Sequence, residues 1–484
     1  MMKVRQFGIL FLFSMLWITC SHPPALSPES GQRDLTRAIH DLISGSGLET
    51  NMGVMVISLK TGKTLYAVNE NHLFNPASNN KLFTSLAALK LLSPQFKFVT
   101  TVWVDSLQAL QDSVSRLTLR GGGDPDLSVD NLRQLAETVA QQIKVIDTLI
   151  LDASIFDNQV RGKGWMWDEG DGWYFAQVTG LGVNDNCVDI TVTPTEAGQP
   201  PKVVVYPNTD YVTIDNQAIT LSDTMGLKKL RIKRRWEAAT NTIDITGNIL
   251  INAEPKTYYR NVEDPVLFTG SVFKELLAEA GISINGPIMK DTLRTPAIQI
   301  AAHKSLPLRE ANVNLMKKSD NLTAETFVKT IGHVTTGKPG SWERGLWAIK
   351  SFLFDEVGLD TSQFKYVDGS GVSRYNYCSP SQLIQVLRYG FQDYTINAEY
   401  LAALPTGGWD GTLRERLQEE AINRRIRAKT GTLEGVSCLS GYVYTADDEP
   451  LAFSILINGY VGEAEPYRKL QDELCILLAT YTRK

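Results

Sequence analysis

The chain carries no P-loop and no G-x-G-x-x-G opening a βαβ unit. That removes the usual phosphate cradles, and with them nucleotide-cofactor chemistry. Histidine is scarce: His22, His40, His72, His303 and His333 stand in no triad context, so activation of a serine by imidazole finds no support. None of the five cysteines forms C-x-x-C or joins a Cys/His cluster, so the sequence asks for no metal and no cofactor. There is no internal repeat. A net charge of −5 gives no reason to expect nucleic acid or another polyanion. The one basic cluster, Lys228 to Arg235, has Leu230 and Ile232 at period two and reads as a strand with one solvated basic face.

Long apolar runs are also missing. The longest, Gly8 to Ile18, has 11 residues, short of the roughly 20 that span a bilayer. Lys3 and Arg5 precede it, the pattern of a secretory signal. Cys20 follows directly, then Ser21-His-Pro-Pro-Ala-Leu-Ser-Pro28. We therefore expect residues 1–20 to be an export signal and 21–31 a linker. Cys20 is similar to the lipidated cysteine of bacterial lipoproteins and is a candidate membrane tether; plain cleavage is the simpler alternative. The expected location is the periplasm. Export permits disulfides among Cys187, Cys378, Cys438 and Cys475, with three possible pairings. Cys438 and Cys475 lie in apolar runs and read equally well as buried thiols.

A chain of 484 residues exceeds the usual single core. Met55 to Ala67 alternates on both sides of Lys60-Thr-Gly62 and predicts a β-hairpin. Leu82 to Leu92 is apolar all round, which predicts a buried helix. From about 96 to 285 the texture changes to short strands and turns, most strand-like over 196–255. Helical periodicity returns after about 305. The simplest account is one α/β (α+β) domain interrupted by a long insertion. The boundaries we expect are 32–95 with 286–484 for the catalytic domain, 96–195 with 256–285 for one inserted domain, and 196–255 for a second.

Against this background three short boxes stand in order: Ser78-Asn-Asn-Lys81, Ser319-Asp-Asn321 and Lys429-Thr-Gly431. S-x-x-K sets serine and lysine one turn apart on one helix face, where helix N-terminal amides favour a developing oxyanion. Lysine can take the serine proton only if its pKa falls by roughly 3 units, which burial can impose. Ser271-Val-Phe-Lys274 and Ser362-Gln-Phe-Lys365 also match. The first suits a surface helix with a solvated lysine, and the second falls in the wrong order. Only Ser78 and Lys81 open a helix apolar enough to be buried; the bland alternative is a serine cap. Ser319-Asp-Asn could likewise merely cap a helix. As a catalytic box, Ser319 passes a proton between Lys81 and the leaving nitrogen. Asn321 bonds the substrate backbone and helps hold Lys81. Lys60-Thr-Gly62 is read as a turn. Lys429-Thr-Gly-Thr432 precedes a strand pair whose edge can align an extended peptide. Lys429 offers fixed positive charge and Thr430 and Thr432 offer hydroxyls for a terminal carboxylate, while the Thr432 N–H is the second oxyanion donor.

Beyond the boxes, the strings Asn75 to Thr84, Gly121-Gly-Gly-Asp-Pro-Asp-Leu127, Gly164-Trp-Met-Trp-Asp168, Asn184-Asp-Asn-Cys187, Asp368 to Arg374, Gly411-Thr-Leu413 and Ala428 to Leu433 resemble the D-alanyl-D-alanine carboxypeptidase/endopeptidase family of class C penicillin-binding proteins. The resemblance implies a transpeptidase-like, serine β-lactamase-like domain, an antiparallel sheet covered by helices, with a nested two-domain insertion rich in β-strand. It implies a metal-free serine peptidase acting on peptidoglycan stem peptides and acylated by β-lactams, with Gly431 among its substrate-binding residues. It also implies a carboxylate from Asp168, Glu169 or Asp171 that reads an amino group on the stem peptide; we take Asp168. The rivals are a β-lactamase of the same fold and a catalytically silent wall-binding scaffold.

Overall fold

A computed structural model describes residues 32–105 and 112–483; the export signal, Cys20 and the linker lie outside the described residues. A five-stranded antiparallel sheet runs in the order Ile426–Leu433, Val436–Tyr444, Pro450–Asn458, Asn51–Ser58, Thr64–Val68. The last two strands are the predicted hairpin, turned at Gly62 with φ +72°. Its central strands are buried on both faces, which is why Leu451 to Ile457 is almost continuously apolar rather than alternating. One face is covered by the terminal helices Gln32–Gly45 and Glu465–Thr480. The other carries Lys81–Leu91, Leu308–Lys317, Asn321–Thr336, Trp342–Asp355 and Pro380–Gln392. Chain ends and middle thus build one sandwich of helices around a sheet.

The Lys81 helix sits in the centre of this second layer. Leu82, Phe83, Leu86 and Leu89 on it are all buried, each worth about 2 kcal/mol in apolar area removed from water. A helix that is apolar all round cannot face solvent, so the residues that open it are carried into the core with it.

The intervening chain forms a second core. A mixed sheet pairs Val145–Asp152 in parallel with Ser113–Arg120, and Ser113–Arg120 antiparallel with Val99–Asp105. Ala297–Lys304 completes that sheet against Val99–Asp105. This departs from the expected boundary at 286: the chain leaves the inserted sheet only after Lys304. Three smaller sheets fall within 187–261. The basic cluster forms the strand Arg231–Arg234 with Ile232 buried. Arg234, however, turns inward and bonds Asn261 Oδ1 at 2.8 Å, so the solvated face carries Arg231 and Lys233 only. Cys187, Cys378, Cys438 and Cys475 are buried free thiols. Among the described residues no helix is long and apolar enough to cross a membrane.

Candidate active site

Ser78 lies in the 3-10 turn Ala77–Asn80, and the α-helix begins at Lys81. The turn is set by Ala77 in the left-handed region, φ +46°, with its N–H held by Asn75 Oδ1. This tighter turn leaves Ser78 half-buried while Lys81 is fully buried. Lys81 Nζ donates to Ser78 Oγ at 3.0 Å, to Asn321 Oδ1 at 2.6 Å and to the Ser370 carbonyl at 2.8 Å. Burial pushes its ammonium down to about 8, against the pull of Asp320, Glu325 and Asp368. The shift is worth about 3 kcal/mol in favour of the free amine. By contrast, Lys274 and Lys365 of the two decoy matches are exposed.

The second box bridges two helices. Asp320 caps the helix Asn321–Thr336, its side chain accepting from the Thr323 N–H. Ser319 just before it has φ +61°, a strained setting for a non-glycine residue that leaves its hydroxyl against the third box. Lys429 Nζ donates to Ser319 Oγ at 2.9 Å and to the Thr430 carbonyl at 2.9 Å. The hydrogen bond to Ser319 therefore comes from Lys429, where the sequence reading expected a link to Lys81. Asn321 holds Lys81 as expected. One of its amide hydrogens is already committed, though, because Nδ2 donates to the Tyr174 carbonyl at 2.8 Å.

Lys429 has surroundings that the sequence reading did not foresee. Its ammonium is fully buried, and burial together with repulsion from Lys81 drives its pKa well below the usual lysine value. Two lysines in one dry site do not both keep a proton easily. Lys81 has an amide oxygen, a carbonyl and three carboxylates in its surroundings. Lys429 has a hydroxyl and one carbonyl, so less opposes the downward pull on its proton affinity.

The strand Ile426–Leu433 is the outer strand of the sheet. Ile426 and Ala428 turn their backbone groups outward, to the Gly407 N–H and the Pro405 carbonyl. Alternation puts Thr430 and Thr432 on the same outward parity, beyond the covering segment, where the edge is open. Gly431 packs against the turn that carries Ser78: a Cβ on it would stand 2.6 Å from the Pro76 carbonyl oxygen and 3.1 Å from the Ser78 and Asn79 nitrogens. Thr430 Oγ1 donates to Thr412 Oγ1 at 2.8 Å, so Gly411-Thr-Leu413 borders the site, a role sequence reasoning did not assign.

From the insertion, Trp167–Glu169 and Trp173–Phe175 form two short turns joined to the site through Tyr174. Glu169 accepts from the Tyr174 hydroxyl at 2.7 Å. Asp171 pairs with Arg260 at 3.1 Å and accepts from the Arg234 N–H. Asp168 is exposed and bonds no other described residue. Of the three carboxylates it alone is uncommitted.

Two further buried carboxylates, Glu325 and Asp368, stand behind Lys81 and were missed by sequence reasoning. Burial pushes the proton affinity of both upward. The available signal was an acid four residues after Asn321, on the same helix face in an otherwise apolar stretch.

The chain matches the model of the D-Ala-D-Ala carboxypeptidase 3 (S13) family over residues 35–481. It is 34% identical over 479 residues to a D-alanyl-D-alanine carboxypeptidase of Actinomadura sp. (strain R39), covering 95% of this chain and 87% of that protein. It is 27% identical to the D-alanyl-D-alanine carboxypeptidase DacB of Haemophilus influenzae, covering 87% of this chain and 88% of the relative. The crystal structure of penicillin binding protein 4 (dacB) from Haemophilus influenzae superposes with a TM-score of 0.80 at 25% identity, covering 92% of this chain and 99% of that one.

Proposed function

We propose, on the premise that the chain belongs to the D-Ala-D-Ala carboxypeptidase 3 (S13) family, that Ser78 is its nucleophile and Lys81 its base. The protein is a serine-type D-Ala-D-Ala carboxypeptidase, a hydrolase of the penicillin-binding-protein fold. One observation carries the residue assignment: a fully buried lysine, held near pKa 8, with its Nζ 3.0 Å from the hydroxyl oxygen that it must deprotonate.

In this reading the terminal D-Ala-D-Ala of a peptidoglycan stem peptide lies along the open edge at Thr430 and Thr432. Its carboxylate meets Lys429 and the threonine hydroxyls and returns Lys429 to the ammonium form. Ser78 Oγ attacks the scissile carbonyl as the Lys81 amine takes its proton. The Ser78 and Thr432 N–H groups hold the oxyanion. The C–N bond breaks as the departing amine takes a proton through Ser319, supplied from Lys429. The proton on Lys81 then passes to Lys429, restoring the Lys81 amine, and water deprotonated by Lys81 attacks the acyl carbonyl and frees Ser78 as its Oγ takes that proton back. A cross-link between D-Ala and a diamino acid presents the same atoms, so endopeptidase action uses the same site. Asp168 binds a free amino group on the stem peptide.

The chain in this account is one catalytic unit with a nested insertion whose 165–175 segment flanks the cleft. It is exported to the periplasm by residues 1–20, with Cys20 as a candidate lipid tether.

Labelling with a fluorescent penicillin, wild type beside Ser78→Ala, tests the assignment. We expect a slowly decaying adduct on wild type, none on the variant, and release of D-alanine from a D-Ala-D-Ala pentapeptide by wild type alone. Equal labelling of both would refute Ser78. Rapid penicillin turnover would favour a β-lactamase, and no D-alanine release or cross-link cleavage a silent scaffold.

A further inference from the structure

The steps above make no use of Glu325. It lies one turn beyond Asn321 on the same helix and is fully buried. Its Oε1 accepts from the Ser370 N–H at 2.8 Å. Its Oε2 accepts from the Gly369 N–H at 2.9 Å and from Trp342 Nε1 at 2.7 Å. Ser370 is also the residue whose carbonyl accepts from Lys81 Nζ at 2.8 Å. One helix therefore holds the lysine twice, directly through Asn321 and at one remove through Glu325.

The loop between them has little freedom. Asp368, fully buried, accepts from the Gly371 N–H at 2.9 Å, the Ser373 N–H at 2.7 Å, Asn376 Nδ2 at 2.7 Å and Trp165 Nε1 at 3.1 Å. Gly371 has φ +87°, and a Cβ there would stand 1.9 Å from the Ala77 carbonyl oxygen. The loop is thus clamped against the residue before the nucleophile. The string Asp368-Gly-Ser-Gly371, which looks like a nucleophile elbow, serves instead as the backstop of the base.

We propose that Glu325 is a positioning residue for Lys81: by gripping the 369–370 amides it aims the Ser370 carbonyl at the amine, and its charge, beside that of Asp368, sets how readily Lys81 releases its proton. The inference rests on the reading of Lys81 as the base. Three N–H donors converge on Glu325 and favour its carboxylate, against the burial that raises its pKa to about 7, so it is charged in the alkaline range where the lysine limb lies. Its negative charge favours the lysine ammonium; removing it favours the amine. The other charged and titratable groups around this pair are Asp320 at the helix cap, Lys329 one turn on and bonded to Asp157, Tyr366 bonded to Thr84, and Lys429 on the edge strand.

The test is the rate constant for acylation of Ser78 by a fluorescent penicillin, measured from pH 5.5 to 10 for wild type, Glu325→Gln, Glu325→Asp and Trp342→Phe. For Glu325→Gln we expect the plateau rate to fall about 10- to 100-fold, the usual loss when a supporting partner is removed. We also expect the lysine-dependent limb to move down by about one pH unit, because a nearby anion is gone. Glu325→Asp keeps the charge and should restore the limb. Trp342→Phe removes one donor to Glu325, favours its neutral form, and should move the limb the same way by less; this variant decides the matter should Glu325→Gln not fold. A limb at the wild-type pH in both Glu325→Gln and Trp342→Phe overturns the proposal, whatever happens to rate or melting temperature. Failure of wild type to be acylated at Ser78 would instead bring down the parent reading.

Discussion

Gly431→Ala places a methyl group where the edge strand meets the nucleophile turn. The added carbon would lie 2.6 Å from the Pro76 carbonyl oxygen and 3.1 Å from the Ser78 and Asn79 nitrogens, where ordinary contact starts at 3.4 Å. All three are backbone atoms, so no side chain can swing aside. Strand and turn must separate by about 0.8 Å, and a misplacement of about 1 Å costs on the order of 100-fold in rate. We expect acylation of Ser78 to fall about 50-fold, because Thr432 moves away from the site of the oxyanion while Lys81 and Ser78 stay together. Overpacking of this kind should also cost about 1–3 kcal/mol of stability. The assay is a time course of fluorescent penicillin labelling beside a thermal melt. Gly45→Ala, with nothing within 4 Å of its added carbon, controls for the change of residue type. A lowered melting temperature with wild-type acylation would show that the strand does not supply the oxyanion donor.

Three further outcomes follow from the same geometry. With Lys81 near pKa 8, the free amine rises from about one molecule in ten at pH 7 to nine in ten at pH 9, so wild-type acylation should rise about tenfold over that range; a flat profile would remove Lys81 as base. Asp168→Asn should leave penicillin acylation unchanged but raise KM about tenfold for a stem peptide bearing a free amine, the size of one charge-assisted hydrogen bond; equal loss on both would refute its role. Burial pushes Asp124 up to about 6, so the folded state binds the extra proton between pH 3.8 and 6 and stability falls as pH rises through that window. Denaturant unfolding should therefore find Asp124→Asn more stable than wild type by about 3 kcal/mol at pH 8 and no different at pH 3.5.

The parts of the site that were legible in the sequence are those set by local pattern. Ser78 and Lys81 could be separated from two decoys because only they open a helix with no polar face, and burial of that helix is what lowers the lysine. The hairpin at Lys60-Thr-Gly62 was legible from alternation alone. The inward turn of Arg234 was legible too but was overlooked: alternation puts it on the face of Ile232, and its guanidinium bonds Asn261 Oδ1 and the Thr240 carbonyl there. The assignment of Ala297–Lys304 was not legible, because strand partners are chosen by sheet geometry and not by the strand's own composition.

Electrostatic consequences of tertiary contact were least legible of all. Nothing near Lys429 in the chain says that it will share a dry site with Lys81, so the downward pull on its proton affinity cannot be read until the two are seen together. Glu325 falls between these cases. A carboxylate on the buried face of an apolar helix must find donors or lose its charge, so its importance could be argued from the sequence. Its donors come from Gly369, Ser370 and Trp342, and no periodicity in the helix points to them. The long separation of the boxes then has a physical sense. In the proposed mechanism the 77–80 turn and the helix it opens supply hydroxyl and amine, the Asn321 helix orients the amine from two positions, and the edge strand closes on both. Each element is held by the common core rather than by its neighbours in sequence, so the insertion can lengthen the chain between them without moving the three groups that must meet.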